Sequence, residues 1–215
     1  MSGDFDLPSA LAKIARDRPL VIVDADEVLL RFVDGFDRFL RVRGRYLDLT
    51  SYRLHGNVKA LADNSAALDV EVTALLEEFR RDLDSLEAVP GAREALSFLS
   101  QAASIVVLSN ISEMQAPARR RNLLSLGFNY PLVANDGLKG PSVKQLAAGT
   151  VAPSFYIDDL PHHLASAAEM APEVFRIHLV GDARLKGLLP PTFHAHCHAG
   201  DWEAAARFIE AQLAI

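Results

Sequence analysis

The sequence predicts an α/β protein: a doubly wound, Rossmann-like parallel sheet with helices on both faces, plus a small helical cap. Three observations carry this. Short apolar runs recur along the 215 residues, each followed by a polar turn. Helix-like stretches separate the runs, the alternation expected of a parallel sheet wound on both sides. One long segment, 32–88, interrupts that alternation without a comparable strand of its own.

The first run, LVIV at 20–23, is continuous and mostly β-branched, as strands covered on both faces are. In the interrupting segment, Phe36, Phe39, Leu40 and Val42 predict one helix. Val72, Leu75, Leu76, Phe79 and Leu83 predict a second, and YRLHGNV at 52–58 a Gly-containing turn between them. The core is therefore expected over 1–31 and 89–215, with the cap over 32–88. A helix over 91–101 follows Pro90, and IVVL at 105–108 is the next strand. A helix over 116–126 stops at Gly127. After the run at 132–134, a Gly-rich turn holding Lys139 leads into a helix-like stretch, then FYI at 155–157. A helix over 162–170 ends before Pro172, the run at 174–180 follows, and a last helix over 201–213 comes after Gly200.

Composition narrows the functional classes. Half the residues are hydrophobic and the formal net charge is −6, with both signs interspersed, which disfavours nucleic acid as a partner. The one tight basic run, Arg119, Arg120 and Arg121, reads as a solvated helix face. A single cysteine, Cys197, cannot close an intrachain disulfide; the amino terminus (MSGDFDLPSA) is acidic where a secretory signal would be basic. No apolar run approaches the roughly 18 residues of a membrane helix. A cytoplasmic location is expected, with no membrane partner; the oligomeric state is not legible.

In open α/β sheets, ligands bind beyond the carboxyl ends of the strands. Asp24 and Asp26 follow the first run, Ser109 and Asn110 the second long one, and Asp158 and Asp159 the run at 155–157. Up to four carboxylates would therefore meet at one edge. Two unit charges about 4 Å apart repel by roughly 4 kcal/mol at an effective dielectric of 20, against a typical domain stability of roughly 5–15 kcal/mol. Lys139 offsets part of this, and a hard divalent ion such as Mg²⁺ suits the rest. A carboxylate can attack phosphorus, a second can move the proton, and Ser109, Asn110 and Lys139 can hold the transferred oxygens.

Four segments together resemble the haloacid dehalogenase superfamily, in its phosphatase branch: PLVIVDADEVLL, IVVLSN, LKGPSVKQLA and FYIDD, in the family's order between residues 20 and 159. The resemblance implies Asp24 as nucleophile and Asp26 as acid/base. It implies Mg²⁺ held by Asp24, the Asp26 backbone carbonyl and Asp158, with Asp159 a ligand or close neighbour. It implies a helical cap after the first strand, and a phosphohydrolase acting on a small phosphorylated metabolite through an aspartyl-phosphate. Family dehalogenases lack the second aspartate. Glu27 stands where many members carry glycine, which leaves the geometry of that turn open. Two other functions stay open: dehalogenation or other hydrolysis by the same nucleophile, and a non-catalytic phosphate-binding module.

Other residues invite attention. Lys144 competes with Lys139 for the lysine role. His194, His196 and His198 alternate around Cys197 and would share a face on a strand, where zinc is imaginable. His162 and His163 suit a helix first turn but could lean toward the site. Arg53, His55 and Asn57, in the cap turn, could reach a substrate's leaving group.

Overall fold

The computed structural model describes residues 5–81 and 83–213; residues 1–4, part of the acidic amino terminus, lie outside them. Nine helices and eight strands follow one another among the described residues: α1 (Leu7–Leu11), β1 (Leu20–Val23), α2 (Phe32–Arg41), β2 (Arg45–Leu47), β3 (Val58–Ala60), α3 (Asp69–Phe79), α4 (Ala92–Leu99), β4 (Ser104–Asn110), α5 (Ala116–Ser125), β5 (Leu132–Asn135), α6 (Gly140–Ala147), β6 (Ser154–Asp158), α7 (Pro161–Met170), β7 (Phe175–Leu179), α8 (Ala183–Lys186), β8 (Cys197–Ala199) and α9 (Trp202–Leu213). Six strands form one parallel sheet in the order β5-β4-β1-β6-β7-β8. The fold is the expected Rossmann-like α/β architecture.

Strand alternation splits the core in two. Val21 and Val23 join Val107, Phe155 and Ile157 on one face, while Leu20 and Ile22 join Val106, Tyr156 and the buried sides of α6 and α7 on the other. Every residue of β1 is buried, because the strand lies between β4 and β6 with helices above and below. The chain leaves β1 toward β4 and β5 and returns to β6 on the opposite side, so the order reverses at β1. That reversal opens a crevice at the carboxyl edge.

The segment 32–88 departs from expectation in one respect. Its two helices are present, but Arg45–Leu47 and Val58–Ala60 pair as an antiparallel ribbon. Runs of three residues, with Arg45, Tyr46 and Lys59 only partly covered, are too short and too polar to stand out in a sequence. Phe79 of α3 contacts Phe32, Phe36 and Phe39 of α2 with ring centroids 5.2–5.3 Å apart, which joins the two helices. The segment leaves and rejoins the sheet at one place. Leu30 bridges Ala88, Arg31 N–H donates to the Glu87 carbonyl at 2.9 Å, and Val89 N–H donates to the Leu29 carbonyl at 2.8 Å. No helix among the described residues is long and apolar enough to cross a membrane.

Gly140, at the start of α6, is where two helices come closest. A Cβ there would lie 2.3 Å from the Ser166 carbonyl oxygen of α7 and 2.4 Å from its Oγ. The clash is with backbone, which cannot rotate away. Gly140→Ala is expected to cost about 2 kcal/mol or more of stability, which urea denaturation measures.

Candidate active site

Each strand of the carboxyl edge delivers its side chain by register. Asp24 follows β1, its N–H bonded to the Ile157 carbonyl at 3.0 Å, and Val23 pairs with both Val107 and Ile157. Asp158 closes β6 one residue further on, and Ser109 lies two beyond Val107. Lys139 enters from the turn before α6. Its Nζ lies 2.6 Å from Asp24 Oδ1 and 2.8 Å from Asp158 Oδ2, and all three side chains are buried. Lys144, the competing lysine, is exposed and lies toward Pro153 and Ser154, at the amino end of β6. Position alone decides between the two.

Asp158 is fully engaged. Oδ2 also accepts from the Tyr156 hydroxyl at 2.5 Å, and Oδ1 accepts from Leu160 N–H at 2.9 Å. Tyr156 had been only a strand residue in the sequence; its ring packs on the α6–α7 side, and its hydroxyl reaches Asp158 because it lies two residues earlier on the same face. Asp159, by contrast, is buried with no hydrogen bond to its carboxylate among the described residues. Carboxylate oxygens of Asp24, Asp158 and Asp159 all lie within 4.8 Å of one another.

Burial dominates the electrostatics. It raises Asp24 to about 7 despite Lys139, with Asp158 and Asp26 adding to the rise. It raises Asp159 well above the carboxylate range, helped by Asp158 and Asp24. Asp158 stays low because Lys139 offsets its burial. One lysine faces three buried carboxylates, so ionising all three would leave negative charge unbalanced, and Ser109 Oγ is buried with no hydrogen-bond partner among the described residues. Oxygen donors in excess of nearby positive charge fit a hard divalent cation.

Asp26 is held elsewhere. Arg119 of α5 meets it twice, at 2.6 Å (NH1 to Oδ1) and 3.0 Å (NH2 to Oδ2). Arg119 is fully buried, whereas the Asp26 side chain keeps 32% of its exposure toward the cleft. The solvated reading of the basic run is thus wrong for Arg119. Arg120 is half-buried against the Tyr130 carbonyl and Arg121 is exposed beside Asp84. The missed signal was periodicity: Arg119 sits three residues after Ala116 and four before Leu123, on the buried stripe of α5. Asp26's carboxylate consequently stands apart from the three-aspartate cluster.

Glu27 answers the question its position raised. Its φ is +59°, the left-handed conformation that glycine adopts freely. Its Oε1 accepts from Val33 N–H at 2.7 Å, capping α2, and its carbonyl accepts from Gly181 N–H. Burial raises its carboxyl to about 8.

The Asn110 amide donates to the Gly137 carbonyl at 2.9 Å and faces His163 Nε2 at 3.4 Å. His163 is buried in the first turn of α7 and burial lowers it to about 4; His162 beside it also lines the cleft. Asn57 is buried and shapes its own loop, accepting from Thr50 and donating to the Ser51 and Arg53 carbonyls. His55 is exposed against Thr73, and Arg53 is exposed. Tyr52 and Leu54 reach the cleft instead, with Arg80 from the end of α3. The three alternating histidines do not share a strand, since only His198 lies within β8. His196 Nδ1 accepts from Arg176 N–H, the His194 carbonyl accepts from Arg176 Nε, and His198 faces His178 across the β7–β8 pair. Among the described residues the three aspartates are the only cluster of three or more metal-binding groups.

With this geometry in view, the comparisons with known proteins are specific about the fold. The chain is similar to a haloacid dehalogenase-like hydrolase from Burkholderia xenovorans (TM-score 0.58, 18% identity, covering 94% of this chain and 100% of that one). It is similar to the HAD-hydrolase YfnB from Bacillus subtilis, solved bound to magnesium (0.57, 15%, 94% and 100%). It also resembles CbbY from Rhodobacter sphaeroides in complex with xylulose-1,5-bisphosphate (0.55, 13%, 86% and 95%). The fold is that of the haloacid dehalogenase-like hydrolases. No protein-family model matches the chain, and no curated protein matches it in sequence.

Two predictions follow from the charges. Asp26→Ala leaves Arg119 buried without a partner, which costs about 3–5 kcal/mol. Asp26→Ala with Arg119→Met should recover most of that loss in urea denaturation, because no buried charge is then stranded. The second concerns pH. Asp24, Asp159 and Glu27 are raised above their unfolded values of 3.8 and 4.5, so the metal-free fold retains protons that the unfolded chain has released. The stabilisation from Asp24 and Glu27 is full below about pH 4 and is lost as pH rises through about 7 and about 8, and Asp159 acts in the same direction. The depressed histidines act oppositely only below their unfolded 6.5. Between about pH 6.5 and 8 the thermal midpoint of metal-free protein should therefore fall, Glu27→Gln should flatten the decline, and added Mg²⁺ should restore stability.

Proposed function

We propose that the chain belongs to the phosphatase branch of the haloacid dehalogenase superfamily and is a Mg²⁺-dependent phosphohydrolase acting on a small phosphorylated molecule. One observation carries this: Asp24, Asp158 and Asp159 converge, buried, at the carboxyl edge of the sheet, with Lys139 paired to two of them and more carboxylates than adjacent cations. Asp24 and Asp159, with the Asp26 carbonyl, would hold the cation; Asp158 is occupied by Lys139, Tyr156 and Leu160 and anchors the lysine. When bound, the ion offsets the carboxylates and draws charge from the phosphoryl oxygens.

The chain's own groups account for the rest. Asp24 Oδ1 is held by Lys139 and by Ala25 N–H at 2.7 Å, which leaves Oδ2 without a hydrogen bond to attack phosphorus. As that bond forms, the bond to the leaving oxygen breaks, and Asp26 supplies the proton. Asp26 then takes a proton from water, which attacks the aspartyl-phosphate, releasing phosphate and restoring Asp24. Ser109 Oγ and Lys139 Nζ would donate to the phosphoryl oxygens, and the Asn110 backbone lies beside them. Arg119 keeps the acid/base aimed at the cleft. Residues 32–88 act as the cap, closing the cleft over the leaving group. The paired Asp26 favours phosphoryl transfer over dehalogenation, which needs no proton donor for a halide.

Asp24→Asn should lower phosphate release from p-nitrophenyl phosphate with Mg²⁺ by at least about a thousandfold, with the circular dichroism spectrum unchanged. Turnover within a few-fold of the parent protein would end the assignment.

A further inference from the structure

Within the proposed phosphohydrolase, on which this inference rests, the walls of the cleft specify the part of the substrate that is not phosphate. The cleft encloses about 310 Å³ in front of Asp24. Its floor is polar, formed by Asp24, Lys139, Asp159 and Asn110. Carbon comes from Phe32 and Val33 of α2, Leu54 of the loop before β3, and Leu185 and Leu189 beyond β7, with Tyr52, His162 and His163 lining the cleft beside them. Glu27, though it borders the cleft, directs its Oε1 to Val33 N–H. Hydroxyls of a leaving group set against Phe32, Val33, Leu54, Leu185 and Leu189 would lose water without gaining partners. An aromatic or branched aliphatic body would gain from the same burial.

One cation interrupts these carbon side chains. Arg80 lines the cleft with its guanidinium carbon 5.9 Å from the centroid of the Phe32 ring. Among the described residues it has no carboxylate partner. Of the other arginines in the segment, Arg38 pairs with Asp34 and Glu87, Arg41 with Asp37, Arg43 with Glu78 and Arg45 with Glu71; Arg53 and Arg81 do not line the cleft. The other cleft cation, Lys139, is already bound between two aspartates.

We propose that the cleft takes a phosphate ester whose leaving group is an apolar, aromatic or branched body ending in a carboxylate, the body lying against Phe32, Leu54 and Leu189 and the carboxylate pairing with Arg80. This sets the substrate apart from sugar phosphates. The test is equilibrium binding by calorimetry to the Asp24→Asn protein with Mg²⁺, using phenyl phosphate, 4-carboxyphenyl phosphate and glucose 6-phosphate. The carboxylated aryl ester should bind about tenfold tighter than phenyl phosphate, with the sugar phosphate weakest. Adding Arg80→Gln should collapse the ratio between the two aryl esters to near one. Equal affinities for the aryl pair, a ratio that survives Arg80→Gln, tightest binding of the sugar phosphate, or binding of none of the three would overturn the proposal. Phosphate release by the unaltered protein from the same esters separates this from the parent reading: no release, with the binding ratios as expected, sinks the hydrolase and upholds the pocket.

Discussion

Lys139 carries its charge where water cannot reach it, and it can do so only because Asp24 and Asp158 flank it at hydrogen-bonding distance. The arrangement is mutual, since each aspartate would be expensive to bury alone. Much of the fold is arranged around it. β1 must be central so that Asp24 can face Asp158 from the adjacent strand, and α6 must approach α7 closely enough to bring Lys139 between them, which is why glycine stands at 140. Tyr156 and Leu160 N–H complete the set by fixing Asp158 from the other side. What this trio leaves without a partner is the Asp159 carboxylate, the group the proposed cation would engage.

A second ion pair has a different role. Arg119 and Asp26 join α5 to the turn after β1, so the residue proposed to move protons is carried by a contact between two elements rather than by its own loop. Glu27 next to it does the same for α2, at the cost of a left-handed backbone conformation worth roughly 1–2 kcal/mol. Strain at a turn beside reacting groups is commonly sustained by such surrounding contacts. Here they are the Val33 and Gly181 hydrogen bonds.

The sheet was legible because its strands are buried on both faces and so read as unbroken apolar runs, and the site was legible because polar residues at the ends of such runs have few other reasons to be there. Turn position distinguishes Lys139 from Lys144 in the sequence, and in the fold Lys139 lies between Asp24 and Asp158. The rest was obscured for physical reasons. The ribbon of 45–47 and 58–60 is three residues long and half wet, so it leaves no periodic trace. Arg119 looked like surface because charge is the usual mark of exposure, while its stripe on α5 pointed inward. In the turn at 52–58 it is Tyr52 and Leu54 that line the cleft, not the polar Arg53, His55 and Asn57, because chemistry marks a residue in a sequence more plainly than shape does. His194, His196 and His198 alternate in sequence but only one of them belongs to a strand.

The single doorway at Leu29–Arg31 and 87–89 has an evolutionary meaning. Because the outgoing and returning chains are hydrogen-bonded to each other across it, everything between them can be exchanged without re-threading the sheet, provided the newcomer supplies apolar side chains to cover Leu29, Leu30 and Val89. The sheet edge and the segment above it can then change separately: residues 32–88 could be traded or drift while the aspartates beneath stayed put.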